Sequence, residues 1–129
     1  MARVTDAVGE SEGPTIPPFA ERVLELAERI PPGKVMTYGD VAEFLASEEF
    51  PEGVPQQAGG PRQVGRVMAL YGGGVPWWRV VRADGALLPG HERRALAHYR
   101  EEGTPLRPSR GLAEAPSRLD MARARWDGR

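Results

Sequence analysis

The sequence of 129 residues contains no cysteine. Disulfide bonds and thiolate metal sites are therefore excluded, and the most nucleophilic side chain used in covalent catalysis is missing. No apolar run is long enough to span a bilayer, and the first residues show no signal-peptide pattern. The length and a hydrophobic content of 40% are typical of one globular domain. We therefore expect a cytoplasmic protein without membrane contact.

Recurrent patterns of catalytic and cofactor sites are missing as well. The loop Gly72-Gly73-Gly74 lacks the preceding strand and the lysine of a phosphate-binding loop. His91 and His98 do not have the i, i+4 spacing of a helical metal-binding pair. The carboxylates of the N-terminal half show no recognisable pairing, and no Ser/His/Asp set is indicated. We therefore predict neither a metal site nor a cofactor.

Charge is distributed unevenly along the chain. The net charge is −1, but residues 1–60 carry 4 Lys and Arg against 11 Asp and Glu. Residues 61–100 carry 7 Arg against 2 acidic residues. A basic block in an otherwise acidic chain is typical of a surface that faces a polyanion. An ordinary solvated surface explains the same block, so charge alone leaves both interpretations open.

Apolar residues recur at helical spacing in four segments. The predicted helices are Phe19–Ile30, Tyr38–Ala46, Pro61–Leu70 and His91–Glu102. Pro31-Pro32-Gly33 ends the first helix, because proline cannot supply the next amide donor. Thr37 and Asp40 have the spacing of a capping box at the start of the second helix, and Gly103 ends the last one.

A short β-hairpin is predicted after the third helix. Arg79–Arg82 contains the β-branched pair of a strand, Asp84-Gly85 is the signal of a tight turn, and Ala86–Leu88 forms the return. The helix before the hairpin carries Arg62 and Arg66 one turn apart. Helix, loop, arginine-bearing helix and hairpin together predict a winged helix-turn-helix domain, mainly α with a small β-hairpin.

Three stretches lack usable periodicity. Residues 1–18, rich in Gly, Pro, Ser and acids, are predicted to be a flexible leader, and residues 47–60 a linker. Residues 107–129 are interpreted as a C-terminal tail, partly disordered, with a short helix around Arg118–Arg125. The predicted domain is therefore 19–106.

Four motifs occur in one order along the chain. They are Ile30–Gly39 (IPPGKVMTYG), Pro61–Gly65 (PRQVG), Pro76–Val81 (PWWRVV), and Gly85 with Glu101-Glu102-Gly103. This combination resembles the DNA-binding domain of the O6-alkylguanine-DNA alkyltransferases. It is most similar to their non-enzymatic relatives, the alkyltransferase-like proteins. The resemblance covers residues 19–106, and the combination is specific although each segment alone is weak.

The resemblance implies a DNA-binding protein that is not an enzyme. In the alkyltransferases a Pro-Cys-His-Arg-Val motif carries the cysteine that accepts the alkyl group, and Trp77 stands at that position here. The alkyltransferase-like proteins, which also carry tryptophan there, bind O6-alkylguanine without repairing it. The implied partners are double-stranded DNA containing O6-alkylguanine and the proteins of nucleotide excision repair. The implied protein is monomeric and, in a bacterium, associated with the nucleoid.

The resemblance also implies roles for individual residues in DNA and lesion binding. Tyr38 matches the tyrosine that pushes on the backbone and helps to rotate the damaged nucleotide outward. Arg62 matches the arginine that enters the base stack and fills the gap. Trp77 would line the lesion pocket, and Arg79 follows it as in the family motif.

Trp78 departs from the family pattern, because a histidine commonly follows the key position. Two interpretations remain: a packing residue, or a second indole in contact with the lesion. Glu102 matches the acid that supports this histidine in the enzymes. Here it is left either to cap the helix or to pair with an arginine.

Two other functions compete with lesion recognition. A winged-helix transcription regulator would use Arg62 and Arg66 to read base edges in the major groove of a defined sequence. A protein-interaction module would use the adjacent tryptophans, Trp77 and Trp78, as a hydrophobic hot spot.

Overall fold

The computed structural model describes residues 16–48, 59–107 and 118–129. Nearly all of the predicted leader, most of the linker and the first part of the tail lie outside these ranges. In the three described ranges, no helix is both long enough and apolar enough to cross a membrane.

Helices make up most of the described chain. They are α1 (Pro18–Arg29), α2 (Tyr38–Ser47), α3 (Pro61–Tyr71), α4 (Glu92–Glu102) and the short α5 (Met121–Ala124). The first four begin and end within one residue of the predicted bounds, which confirms the assignment from periodicity. Two single turns of 3-10 helix, Gly72–Gly74 and Trp77–Arg79, follow α3.

The predicted capping interactions form at the start of α2 and at the end of α4. The Thr37 hydroxyl accepts a hydrogen bond from the Asp40 amide at 2.9 Å, and the Asp40 carboxylate accepts one from the Thr37 amide at 3.1 Å. This capping box satisfies two donors at the start of α2. Gly103 ends α4 in the left-handed region, with φ of +72°.

A small parallel sheet pairs a strand that follows α1 with a strand that precedes α4. It consists of β1 (Met36–Thr37) and β2 (Val80–Val81), with Met36 opposite Val80 and Thr37 opposite Val81. The prediction of a mainly α protein with a small β element is confirmed, and this element is a parallel two-stranded sheet where a hairpin was predicted.

The predicted hairpin is wrong in its pairing, although its turn forms. The Gly85 amide donates to the Arg82 carbonyl at 2.9 Å, and Gly85 has a φ of +76°. The returning residue Ala86, however, pairs with Arg118 in antiparallel orientation. Val80 and Val81 are each only 5% exposed. A turn motif fixes the reversal of the chain but not the strand's partner, and these valines reach a buried partner in β1.

Two groups of buried residues form the core. The first joins α1, α2 and α3 through residues such as Val23, Leu26, Val41, Leu45 and Val64. The second joins α4 to the segment after the turn through Val35, Val81, Leu87, Leu96, Tyr99 and Leu119. The sheet lies between them, since Met36 and Val80 belong to the first group whereas Val35 and Val81 belong to the second.

Residues 118–129, here called the C-terminal segment, pack against the domain. Leu119 is 1% exposed and Ala124 is fully buried. Val35 donates to the Ala124 carbonyl at 2.9 Å and accepts from the Trp126 amide at 2.8 Å. The folded unit therefore extends beyond the predicted boundary at 106, and the short helix expected around residues 118–125 is α5.

Candidate nucleic-acid interface

The parallel sheet brings two predicted site residues to one cavity. Tyr38 directly follows β1, and the turn that carries Trp77 directly precedes β2. The strands are paired over only two residues, Met36 opposite Val80 and Thr37 opposite Val81, so Tyr38 and the turn with Trp77 are both held beside this short sheet. Tyr38 and Trp77 consequently both line a cavity of about 380 Å³.

The cavity is mostly apolar. It is lined by Tyr38, Gly65, Met68, Ala69, Gly72, Gly73, Trp77, Val80, Leu88, Pro89, His91 and Arg94. Its volume lies within the range of about 300–1,000 Å³ that is usual for small-ligand sites. A few polar groups among apolar walls fit a flat, partly polar ligand such as a nucleobase.

Tyr38 is half-buried beside α3. Its ring atoms lie 3.8–3.9 Å from the position that a Cβ atom on Gly65 would occupy, so the ring packs closely along that helix. Burial raises the pKa of the Tyr38 hydroxyl, and the nearby charge of Arg82 opposes part of this shift. The hydroxyl therefore remains protonated at neutral pH and can donate a hydrogen bond.

Trp77 stands among aromatic and cationic side chains. Its ring centre lies 5.7 Å from His91, and the Arg94 guanidinium carbon lies 5.6 Å from that centre. Arg94 Nη2 is 2.9 Å from His91 Nδ1. An arginine can only donate, so this contact is a hydrogen bond in the His91 tautomer that carries its proton on Nε2 and leaves Nδ1 as the acceptor. Trp77, His91 and Arg94 together form one wall of the cavity.

Trp78 and Arg79 face a shared carboxylate behind this wall. Glu102 accepts from Trp78 Nε1 at 2.8 Å and from Arg79 Nη2 at 2.6 Å. It also accepts from the Gly33 amide at 3.1 Å, while Arg79 Nη1 donates to the Ile30 carbonyl at 2.9 Å. Burial raises the pKa of Glu102, but hydrogen bonds from Arg79, Gly33 and Trp78 and the charge of Arg79 hold it below its usual range.

Trp78 is also fixed by its other contacts. Its ring stacks on His98 with centres 3.5 Å apart and planes 2° apart, and its carbonyl accepts from the Tyr99 hydroxyl at 2.6 Å. Trp78 does not line the large cavity, and reaches only a crevice of about 10 Å³ beside it. Of the two interpretations of Trp78, the geometry favours packing. Arg79 is likewise engaged with Glu102 rather than presented to the cavity, so the motif's arginine supports the wall from behind.

Arg62 lies in the first turn of α3 and is not itself among the residues that line the cavity. Its side chain is exposed, and Pro61 before it occupies the first helical position. Arg62, Gly65 and Ala69 follow one another at spacings of three and four, which places them on one face of the helix. Since Gly65 and Ala69 line the cavity, Arg62 is one turn away from it.

His91 and Arg94 line the cavity, although the sequence patterns do not place them there. Both lie at or near the start of α4, where they look like ordinary solvated helix residues. Their spacing of three predicts a shared face. Their contact with Trp77 depends on how α4 packs against the preceding turn, and no local pattern encodes that packing.

Comparison with known proteins identifies the family to which this domain is similar. The model of the 6-O-methylguanine DNA methyltransferase DNA-binding domain matches residues 18–103. The chain is 34% identical over 116 residues to the DNA base-flipping protein of Escherichia coli strain K12, covering 84% of this chain and 74% of that protein. The DNA base-flipping protein of Shigella flexneri matches with the same values.

Two solved structures share the fold. One is S. pombe Atl1 in complex with damaged DNA containing O6-carboxymethylguanine, with a TM-score of 0.60 and 27% identity. The other is S. pombe ATL in complex with DNA, with a TM-score of 0.59 and 25% identity. Each match covers 84% of this chain and 94% of the other.

Proposed function

This chain belongs to the family of the 6-O-methylguanine DNA methyltransferase DNA-binding domain, as an alkyltransferase-like protein, and we propose that it recognises O6-alkylguanine in duplex DNA. The damaged nucleotide rotates out of the helix into the cavity between Tyr38 and Trp77. The alkyl group is bound there and not transferred. The relatives named for base flipping and the relative solved with damaged DNA support this proposal.

One observation carries the proposal. Trp77, at the position of the alkyltransferases' acceptor cysteine, lines a cavity of about 380 Å³ together with Tyr38. An indole offers a large apolar face to the base and to its alkyl group. A base stacked inside a duplex cannot reach such a wall, so recognition requires extrusion.

Tyr38 and Arg62 offset part of the free-energy cost of extruding the base. Flipping a base costs a few kcal/mol in lost stacking and pairing. An O6-alkyl group already weakens pairing with cytosine, so the cost is lower at a lesion. Arg62, exposed one helical turn before the cavity residue Gly65, enters the stack and replaces part of the lost contacts. Tyr38, packed along the same helix, presses on the backbone of the extruded nucleotide.

The residues around Trp77 support binding without chemistry. The sequence contains no cysteine. Trp78 stands where the alkyltransferases have a histidine, and its Nε1–H donates to Glu102. An indole nitrogen is only a donor and cannot accept a proton as an imidazole does. Trp78, Arg79 and Glu102 therefore hold the wall in place.

The proposal extends to the fate of the complex. A protein that binds a lesion and leaves it intact needs a second activity to remove it. We assign this activity to nucleotide excision repair proteins, which would recognise the protein–lesion complex. The protein would act as a monomer on one lesion, in the cytoplasm or on the nucleoid.

The test is a binding comparison on one duplex with and without a single O6-methylguanine, at several salt concentrations. We expect a clear preference for the lesion. Trp77→Ala should erase this preference and retain much of the salt-sensitive nonspecific binding, which depends on phosphate contacts. Mass spectrometry of the recovered DNA should find the methyl group intact. Equal affinity for the two duplexes would overturn the proposal, and equal affinity with a strong sequence preference would favour a transcription regulator.

A further inference from the structure

The cavity wall that carries Trp77 is positively charged, and among the residues that the structure describes no acidic side chain lines the cavity. Arg94 contributes a guanidinium to this wall. Within the described ranges, Arg94 contacts the Trp77 ring and His91 but forms no ion pair with a carboxylate. One of its five N–H donors is used by His91, and among the described residues Arg94 has no other hydrogen-bond partner.

We propose that Arg94 makes this cavity selective for O6-substituents that end in an anionic group, such as carboxyalkyl adducts, over neutral substituents of the same size. This inference rests on the proposed function and adds a ligand class to it. A purely apolar wall would select by size and shape alone, and would disfavour a carboxylate because of its desolvation.

The geometry of guanine places the substituent near Arg94. The glycosidic bond and the O6 atom lie on opposite edges of the base. When the sugar and phosphates remain at the mouth beside Arg62 and Tyr38, the O6 edge enters first and meets the opposite wall. Trp77 is part of that wall and stands at the position where the alkyltransferases meet the alkyl group. The Arg94 guanidinium carbon is 5.6 Å from the Trp77 ring centre, within reach of a carboxylate on a short alkyl chain.

The interaction strengthens when the base fills the cavity. Arg94 is exposed in the free protein, and an exposed ion pair contributes little. A bound base excludes water from one side of the guanidinium and lowers the local dielectric. Arginine and carboxylate also match each other as a bidentate pair. The free energy of this contact should lie between that of an exposed ion pair and that of a hydrogen bond to a charged group. We therefore expect about 3- to 10-fold tighter binding of the anionic adduct.

The experiment compares four otherwise identical duplexes containing guanine, O6-methylguanine, O6-carboxymethylguanine or O6-carbamoylmethylguanine. The last two differ in charge and are nearly equal in shape. The full chain should bind the carboxymethyl duplex about 3- to 10-fold more tightly than the carbamoylmethyl duplex at low salt. This ratio should fall as salt screens the pair.

Variants assign the preference to one side chain. Arg94→Gln should bring the ratio close to one, and Arg94→Lys should retain part of it because the charge remains. Arg93→Gln is the matched control: it removes the same charge from the neighbouring exposed position, which does not line the cavity. It should lower the affinity for all four duplexes and leave the ratio unchanged. Both positions are exposed, and thermal unfolding checks that the variants are folded.

The outcomes separate this inference from the proposed function. If O6-methylguanine is not preferred over guanine, the proposed function itself fails. If the lesions are preferred but the wild-type protein binds the carboxymethyl and carbamoylmethyl duplexes equally, selectivity for anions is overturned. A ratio that survives in Arg94→Gln, or an equal loss for both adducts in that variant, would show that Arg94 does not read the charge.

Discussion

At the scale of the residue, the two adjacent tryptophans have different surroundings. Trp77 lines the cavity, whereas Trp78 is stacked on His98 and donates to Glu102. Neighbouring side chains on a single 3-10 turn point in different directions, so adjacency in sequence does not imply a shared role. Substitutions at the two positions should therefore affect different measured quantities.

Trp78→His should affect stability more than lesion binding. An imidazole retains a donor for Glu102 but gives up part of the packing against His98, so we expect a loss of about 1–2 kcal/mol in the free energy of unfolding. The ratio of lesion to undamaged affinity should change by less than about threefold, or about 0.7 kcal/mol. Chemical denaturation and the duplex comparison measure the two quantities. Loss of lesion preference in this variant with the fold intact would place Trp78 at the ligand.

Glu102 should make the free energy of unfolding fall at acidic pH. Its folded-state pKa lies below the ordinary value of 4.5, so the folded protein binds fewer protons at this carboxyl than the unfolded chain does. The stabilisation is fully present above the unfolded pKa and is lost as pH falls through the folded pKa. Glu102→Gln should lower stability at pH 7, because it leaves the Arg79 guanidinium without its charge partner, and should flatten the dependence below pH 4.5. Urea unfolding of both proteins at several pH values measures this, and an equally steep acid dependence in the variant would argue against it.

At the scale of the element, the second helix is held at its start from two sides. Asp40, which caps α2 together with Thr37, also accepts two hydrogen bonds from Arg125 of the C-terminal segment, at 2.8 and 2.6 Å. The hydrogen bond from Arg125 is the largest influence holding the pKa of Asp40 below its usual range. Tyr38 is the first residue of α2 and lies between the capping residues Thr37 and Asp40, so the C-terminal segment helps to fix the backbone from which Tyr38 projects.

Arg125→Ala should loosen the start of α2. The Asp40 side chain is only 13% exposed, and among the described residues Arg125 is its one ion-pair partner. We expect a loss of about 1 kcal/mol in the free energy of unfolding. Arg123→Ala is the control, because it removes the same charge from an exposed position of the same segment. If both variants lost the same stability, the contact with Asp40 would have no specific effect.

The same elements show how far sequence could predict this structure. The capping box of Thr37 and Asp40, the left-handed Gly103 and the turn at Asp84-Gly85 formed as predicted, because each depends on residues within a few positions of one another. The partner of Val80-Val81 and the burial of Leu119 depend on segments distant in the chain. The shared cavity of Tyr38 and Trp77 agrees with the family resemblance, while the contact of Arg94 with Trp77 required the three-dimensional arrangement.

At the scale of the whole molecule, the C-terminal segment completes the second group of core residues. Leu119 and Ala124 are buried in it, and both backbone hydrogen-bonding groups of Val35 are satisfied by this segment. An unpaired buried backbone group costs about 1–3 kcal/mol. The segment therefore contributes to the stability of the domain even though it lies beyond the family match at residue 103.

Removal of residues 118–129 should consequently destabilise the entire domain. Loss of the buried Leu119 side chain and exposure of Val35 together predict a decrease of about 4–6 kcal/mol, a large share of the 5–15 kcal/mol usual for a domain. A chain ending at Trp126 keeps these contacts and is the matched control. Thermal unfolding followed by circular dichroism compares the two. A shortened chain that melts like the control would show that the segment is not needed.

The parallel pairing of β1 with β2 also has a consequence for folding. The strands lie far apart in sequence, and closing the long loop between them carries an entropic penalty before any contact compensates for it. Tyr38 directly follows β1, and the turn with Trp77 directly precedes β2, so pairing of the strands brings the two sides of the cavity together. The cavity is therefore complete only in the folded chain, and its occupancy by a lesion is thermodynamically linked to folding.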